Sequence, residues 1–363
     1  MRATEFVKEE ISTPIDTKAM SQNLDVVKQD IVQKVQSISS IQELNKVHSY
    51  VRKLDLGNGF ESIFTKDSDL KQVQTILSNA IVEAPGTFQD KLGFARELVS
   101  GNGIINLEEL LKPGIKRNLM DVIQTRYTDI FDSVASELLN IAGAYSAGGK
   151  KTNRGKGEFF LAICSPKITL SKGAGDISIA GKPFEIKADW ARIKGRKGYG
   201  TTDPAMSTII KNVTSWTKKY IPNIPAPEFK VGLGAKSNFW NGGFNKFCID
   251  NSIENNIVGN FMREQLKIIV KSLYLSVTNS ELKSFTDCVN DINGIDFNAL
   301  VTVSKRMAFS YYQRADEFSG VIFINAETLN YVYVPDAETF VNSIKIKSLG
   351  FEKGQQNGMQ IRI

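Results

Sequence analysis

Between Gly143 and Gly157 the chain passes through a glycine-rich, basic segment, and there the spacing of its apolar residues changes from the period of a helix to that of a strand. That switch limits what each half can fold into. Upstream, Met20, Leu24, Val27, Ile31, Val35 and Ile38 share one helical face over 18–38, a helix of about five turns. Ser40 and Glu43 form a capping box that opens a second helix running to Leu54, closed by Gly57-Asn58-Gly59. Further helices are predicted at 68–83, 87–99, 107–112 and 117–145, with Pro85, Gly101 and Pro113-Gly114 as stop signals. Residues 1–145 are therefore expected to form an all-helical N-terminal domain whose apolar stripes pack as core.

Downstream, strand-like runs fall at 167–171, 176–180 and 183–188, followed by a helix at 204–219 and a loop marked by Pro222, Pro225 and Pro227. Helices at 253–277 and 280–291 then precede strands at 320–325, 330–334, 343–348 and 359–363. Mixed elements of this kind make an α/β or α+β domain at 157–363, joined to the helical part by a basic glycine-rich linker at 146–156. A length of 363 residues accommodates both parts. The linker looks superficially like a phosphate-binding P-loop, but Ala144 and Lys151 occupy the positions of that motif's first glycine and its serine or threonine. It also follows a helix where a P-loop follows a strand, so no nucleotide cofactor is expected.

Composition removes several chemistries. The single histidine, His48, sits in a helical pattern beside Leu44, Val47 and Val51, so mechanisms built on imidazoles have no residues to use. Cys164, Cys248 and Cys288 are widely spaced and read as core residues, not as a disulfide framework or a zinc site. No apolar run reaches the length of a membrane span, and the N-terminus lacks a secretory core, which places the chain in a cytoplasm or in a particle assembled there. A net charge of +6 and a pI near 9.0 favour a polyanionic partner. Any catalysis must use carboxylates and lysine.

The segment from Lys172 to Ala188 supplies them. Two short strands joined by a Gly181-Lys182-Pro183 turn read as a hairpin, with Phe184 and Ile186 on one face of the second strand and Glu185 and Lys187 on the other. Asp176 opens the first strand, where the hairpin can set its carboxylate beside that of Glu185. Two hard oxygen ligands suit Mg2+, with Mn2+ as a substitute. Such a metal polarises a phosphate and acidifies a bound water, and Lys187 is placed to orient that water and balance charge. Acidic-x-Lys also occurs at Asp16, Asp69, Glu228 and Glu281, but only Glu185 has the hairpin and the upstream aspartate as well.

Gly175-Asp176, eight further residues and Glu185-x-Lys187 resemble the PD-(D/E)xK nuclease superfamily, which includes restriction endonucleases, lambda-type exonucleases and Holliday-junction resolvases. The resemblance covers about residues 155–190 and implies a restriction-endonuclease-like core with a mixed central sheet and Mg2+-dependent DNA cleavage, with endonuclease action the expected mode. It also implies that Glu158, in Gly155-Lys156-Gly157-Glu158, joins the metal site from the helix before the hairpin. Gly175 stands where the family has proline. The opening Met1-Arg2-Ala3-Thr4-Glu5-Phe6 is similar to the starts of some proteins of tailed phages.

Lys150, Lys151, Arg154 and Lys156 before the motif, and Arg192, Lys194, Arg196 and Lys197 after it, are expected to hold the DNA backbone. Lys305, Arg306, Tyr311, Tyr312 and Arg314 form a second mixture of cations and aromatics, read chiefly as packing residues. A homo-oligomer through the N-terminal helices is compatible with this plan. The competing readings are a catalytically silent nucleic-acid-binding protein and a phage structural or assembly protein.

Overall fold

The computed structural model describes residues 67–99, 102–146, 154–171, 173–193, 203–225, 227–234, 236–274, 276–352 and 358–363, together with Gln42, Asn45 and Ser49. The helix expected at 18–38 lies outside the described residues, and the one expected at 40–54 is represented by those three positions, all helical. The described fold is mixed α+β around a six-stranded sheet.

From residue 67 to the glycine-rich segment the described residues form the helices α1 (Asp67–Glu83), α2 (Phe88–Val99), the single turn α3 (Leu107–Leu110) and α4 (Thr128–Tyr145). The long helix expected at 117–145 is shortened by its own N-terminal third. Arg117–Asn118 instead forms strand β1, paired antiparallel with Tyr331 and Asn330, and two 3-10 turns at Leu119–Val122 and Thr125–Tyr127 carry the chain into α4. Asn118 explains the break. Its side chain caps the Met120 N–H at 3.0 Å and its amide reaches the Thr328 carbonyl at 2.8 Å, satisfying groups that a continuous helix would have bonded internally.

Helix α5 (Lys156–Cys164) follows, buried along its whole length from Gly157, as an apolar helix without a polar face must be. Strands β2 (Ile168–Leu170), β3 (Ile177–Ile179) and β4 (Lys182–Ala188) form an antiparallel meander, and β5 (Arg192–Ile193) comes just after. The β3–β4 turn is Ala180-Gly181, both at positive φ (51° and 79°), the two-residue hairpin whose twist matches its strands.

Between β5 and the next strand of the main sheet lie α6 (Asp203–Tyr220), α7 (Phe244–Asp250), α8 (Asn255–Leu273), α9 (Asn279–Thr286), the small ribbon β6 (Val289–Asn290) and β7 (Gly294–Ile295), and α10 (Phe297–Asp316). Strand β8 (Val321–Ile324) then returns parallel to β4, and β9 (Asn330–Val334) pairs antiparallel with β8. The sheet order is β1-β9-β8-β4-β3-β2. Helix α11 (Ala337–Ser343), β10 (Lys345–Ser348) and β11 (Met359–Arg362) complete the chain, with β5 joining β11 and β10 in a separate three-stranded sheet.

The sheet separates two cores. One face, with Ile177, Ile179, Phe184, Ile186, Ile322 and Ile324, packs against α1, α2, α4 and α5. The other, with Val321, Phe323, Val332 and Val334, packs against the later helices around Trp240, Phe244, Phe309 and Phe340. The described helices before the glycine-rich segment therefore share a core with the sheet and contribute a strand to it, so the separation expected between 1–145 and 157–363 is not matched by separate cores. The three cysteines are buried thiols in these interiors. Among the described residues, no helix is long and apolar enough to cross a membrane.

Candidate active site

Strand β4 is central because β3 pairs with its first half and β8 with its second. Strand alternation sends Phe184 and Ile186 into the first core, so Glu185 and Lys187 project onto the opposite face, alongside Val321 and Phe323 of β8. Helix α10 covers that face. Its Tyr312 donates a short hydrogen bond to Glu185 Oε1, and Glu185 is only 8% exposed.

Asp176 reaches the same place from the end of β3. Its backbone N–H donates to the Phe184 carbonyl at 2.8 Å, and its Oδ2 accepts from the Ile186 N–H at 2.9 Å. Lys187 Nζ donates to Glu185 Oε1, lies 3.9 Å from Asp176 Oδ2 and sits 5.5 Å from the centre of the Tyr312 ring. One ammonium thus spans two carboxylates. Burial raises the Asp176 carboxyl above its usual value and the neighbouring Glu185 raises it further, while Lys187 opposes both. Burial and then the charge of Glu185 push the Tyr312 phenol well above its ordinary range, so it remains a hydrogen-bond donor.

Glu158 behaves differently from the expectation attached to it. Its Oε1 accepts from the Gly155 N–H at 2.7 Å, closing the first turn of α5, and its Oε2 is buried with no hydrogen-bond partner, 3.8 Å from Arg154. Among the described residues no group of three or more histidine, cysteine, aspartate or glutamate side chains could hold a metal ion. Glu158 is therefore not gathered with Asp176 and Glu185 into such a group, and its Oε1 caps its own helix. It remains an electrostatic neighbour: burial and then the Asp176 charge raise its carboxyl to about 7.

A raised carboxyl favours the protonated folded state, so its stabilising contribution is complete below the unfolded value of 4.5 and is lost as pH rises through about 7. Glu158→Gln keeps the cap acceptor and removes the titration. In EDTA, the stability of Glu158→Gln relative to wild type is expected to rise by about 3 kcal/mol between about pH 4.5 and about pH 8. Urea denaturation at both ends of that window checks it; a difference that ignores pH would rule the coupling out.

The remaining candidates divide. Lys150, Lys151, Lys194, Arg196 and Lys197 lie outside the described residues. Arg154, expected on phosphate, instead donates to the Asp176 carbonyl at 2.8 Å and to the Ser171 carbonyl, tying together the loop before β3. Lys156 is half-buried with its stem near Gly143, and Arg192 donates to the Gly358 carbonyl at 3.1 Å. In the second basic-aromatic group, Lys305 binds the Val341 carbonyl, Arg306 pairs with Glu338, Arg314 with Glu281, and Tyr311 packs on Tyr274. Only Tyr312 reaches the carboxylates, and no local sequence signal separates it from Tyr311.

The site brings together two adjacent carboxylates, unfavourable together without positive charge, with a lysine and a protonated tyrosine. No family model matches the chain, and no curated protein or solved structure matches it either.

Proposed function

We propose that the chain is a Mg2+-dependent deoxyribonuclease with a restriction-endonuclease-like core, cutting DNA phosphodiester bonds as an endonuclease. The observation that carries this reading is the convergence of Asp176, Glu185 and Lys187 on one face of the central hairpin, with Lys187 within reach of both carboxylates. Mixed strand directions in the sheet, and a buried helix carrying Glu158 ahead of the hairpin, agree with the family resemblance.

In this reading Asp176 and Glu185 would hold the cation, whose chemistry there would be to polarise the scissile phosphate and lower the pKa of the attacking water. Asp176 is fixed by the Ile186 N–H and Glu185 by Tyr312, so neither carboxylate has to be ordered when substrate arrives. Lys187 moves from the carboxylates to the attacking water, orients it and offsets negative charge gathering on the phosphate oxygens. Glu158 adds a titratable charge beside Asp176, so cation affinity rises as pH passes through about 7.

The test is cleavage of supercoiled plasmid and linear duplex with Mg2+, Mn2+ or EDTA. Nicked and linear products with either metal and none in EDTA are expected. Tight DNA binding without cutting under any metal would replace this reading with the silent binding protein, for which Lys187 already supplies the charge that neutralises the carboxylates.

A further inference from the structure

Strand β4 does not end at the carboxylates. The chain turns at once through Ala188–Ala191, where the Ala191 N–H bonds the Ala188 carbonyl at 3.1 Å, and the third residue of that turn is Trp190 at φ 66°. Glycine is the residue suited to such a position, and a large aromatic side chain there is costly. Trp190 is nevertheless 42% exposed, so burial of its ring does not explain its presence. The turn is held from outside: Asp189 Oδ1 accepts from the Trp190 N–H at 3.0 Å and the Ile363 N–H at 3.1 Å.

Over the face of the ring lie cations of the β10-β11-β5 sheet. Lys347 Nζ lies 4.4 Å and the Arg362 guanidinium carbon 4.9 Å from its centroid. Lys345 is the direct cross-strand partner of Arg362, and Lys347 follows it on the same strand; all three are exposed. No described carboxylate forms an ion pair with any of them, while the buried side of the sheet is apolar through Ile193, Met359 and Ile361. Like charges facing each other across a ladder destabilise it unless an anion lies between them.

We infer that this face is a binding platform for single-stranded nucleic acid, in which a base stacks on Trp190 and the flanking phosphates are held by Lys345, Lys347 and Arg362. An exposed aromatic whose face carries cations that no described carboxylate neutralises suits the alternation of base and phosphate along a single strand once Lys347 and Arg362 swing from the ring to the flanking phosphates, and stacking accepts any base. Trp190 lies three residues beyond Lys187, in the turn that follows the end of β4, which ties the platform to the strand that carries Glu185 and Lys187. The inference deepens the nuclease reading and rests on it for the identity of that neighbouring site.

The test uses the full chain in EDTA and fluorescence anisotropy of a labelled oligothymidine of about twelve nucleotides, with inorganic polyphosphate as a polyanion without bases. Trp190→Gly suits the turn's backbone and is expected to fold and melt with the wild type, yet to bind oligothymidine about tenfold more weakly while binding polyphosphate equally. Lys347→Gln and Arg362→Gln should weaken both ligands and flatten the salt dependence. Equal oligothymidine binding by Trp190→Gly, a parallel loss of polyphosphate binding, or a preference for duplex over single strand overturns the platform. Wild-type cutting with Trp190→Gly binding intact sinks the platform alone; Trp190-dependent binding without metal-dependent cutting sinks the nuclease reading alone.

Discussion

Under the proposed function, a Lys187→Met variant is expected to bind Mg2+ at least as tightly as wild type and yet to cut plasmid about a hundred- to a thousandfold more slowly. In the structure the Lys187 ammonium contacts Glu185 and faces Asp176, so it competes with any cation for the same oxygens. Methionine keeps the stem's bulk and removes the charge, leaving the carboxylates with more need of a cation. What it cannot do is orient the attacking water or offset charge on the phosphate. Asp176→Asn should behave in the opposite way for metal, losing Mg2+ binding together with cleavage, because one of the two proposed anionic ligands is gone. Calorimetric titration of Mg2+ alongside the plasmid assay separates the two variants. Should Lys187→Met cut like the wild type, Lys187 is only a structural counter-ion.

The other large effect is expected at Gly175, where the resembling family carries proline. Gly175 has φ 67°, and a Cβ built there would lie 2.7 Å from the Phe184 carbonyl oxygen and 3.0 Å from its backbone carbon and nitrogen. Those atoms belong to the central strand and cannot swing aside. The close approach is what lets the Asp176 N–H bond the Phe184 carbonyl and sets the carboxylate beside Glu185. Gly175→Ala is therefore expected to cost about 2–4 kcal/mol and to displace Asp176 from the site. Proline, with φ fixed near −65°, is excluded outright. Gly173→Ala is the control, since nothing lies within 4 Å of its Cβ. Urea denaturation with the cleavage assay reads both effects; a Gly175→Ala protein as stable and active as wild type would contradict this account of the departure from proline.

Local periodicity carried the fold a long way. The helices at 67–83, 88–99 and 203–220, the hairpin holding Asp176 and Glu185, and the strands at 321–324 and 330–334 were legible because each announces itself within a few residues. The strand at Arg117–Asn118 was not, since its partner is Tyr331 and no local pattern encodes that pairing. Helix α10 was hidden by its mixture of charged and aromatic residues, and with it Tyr312, whose role depends on which face of the sheet the helix covers. Arg154 and Glu158 illustrate the same limit. Sequence places them beside the motif, whereas the hydrogen bonds that turn one onto backbone carbonyls and the other onto its own helix cap are matters of geometry.

The contact between Tyr312 and Glu185 spans 127 positions of the chain, while the hairpin that carries the carboxylates closes over a handful. Assembly during refolding therefore has a built-in order: the meander can form quickly, but the parallel docking of β8 on β4 must wait for the whole intervening helical segment to collapse. Until then the second half of β4 is a bare edge with unpaired N–H and C=O groups, open to pairing with another molecule. Slow recovery of native tertiary structure after secondary structure has returned, and losses to aggregation at high protein concentration, are the kinetic signature of placing the strand of the candidate site at the meeting point of near and distant parts of the chain.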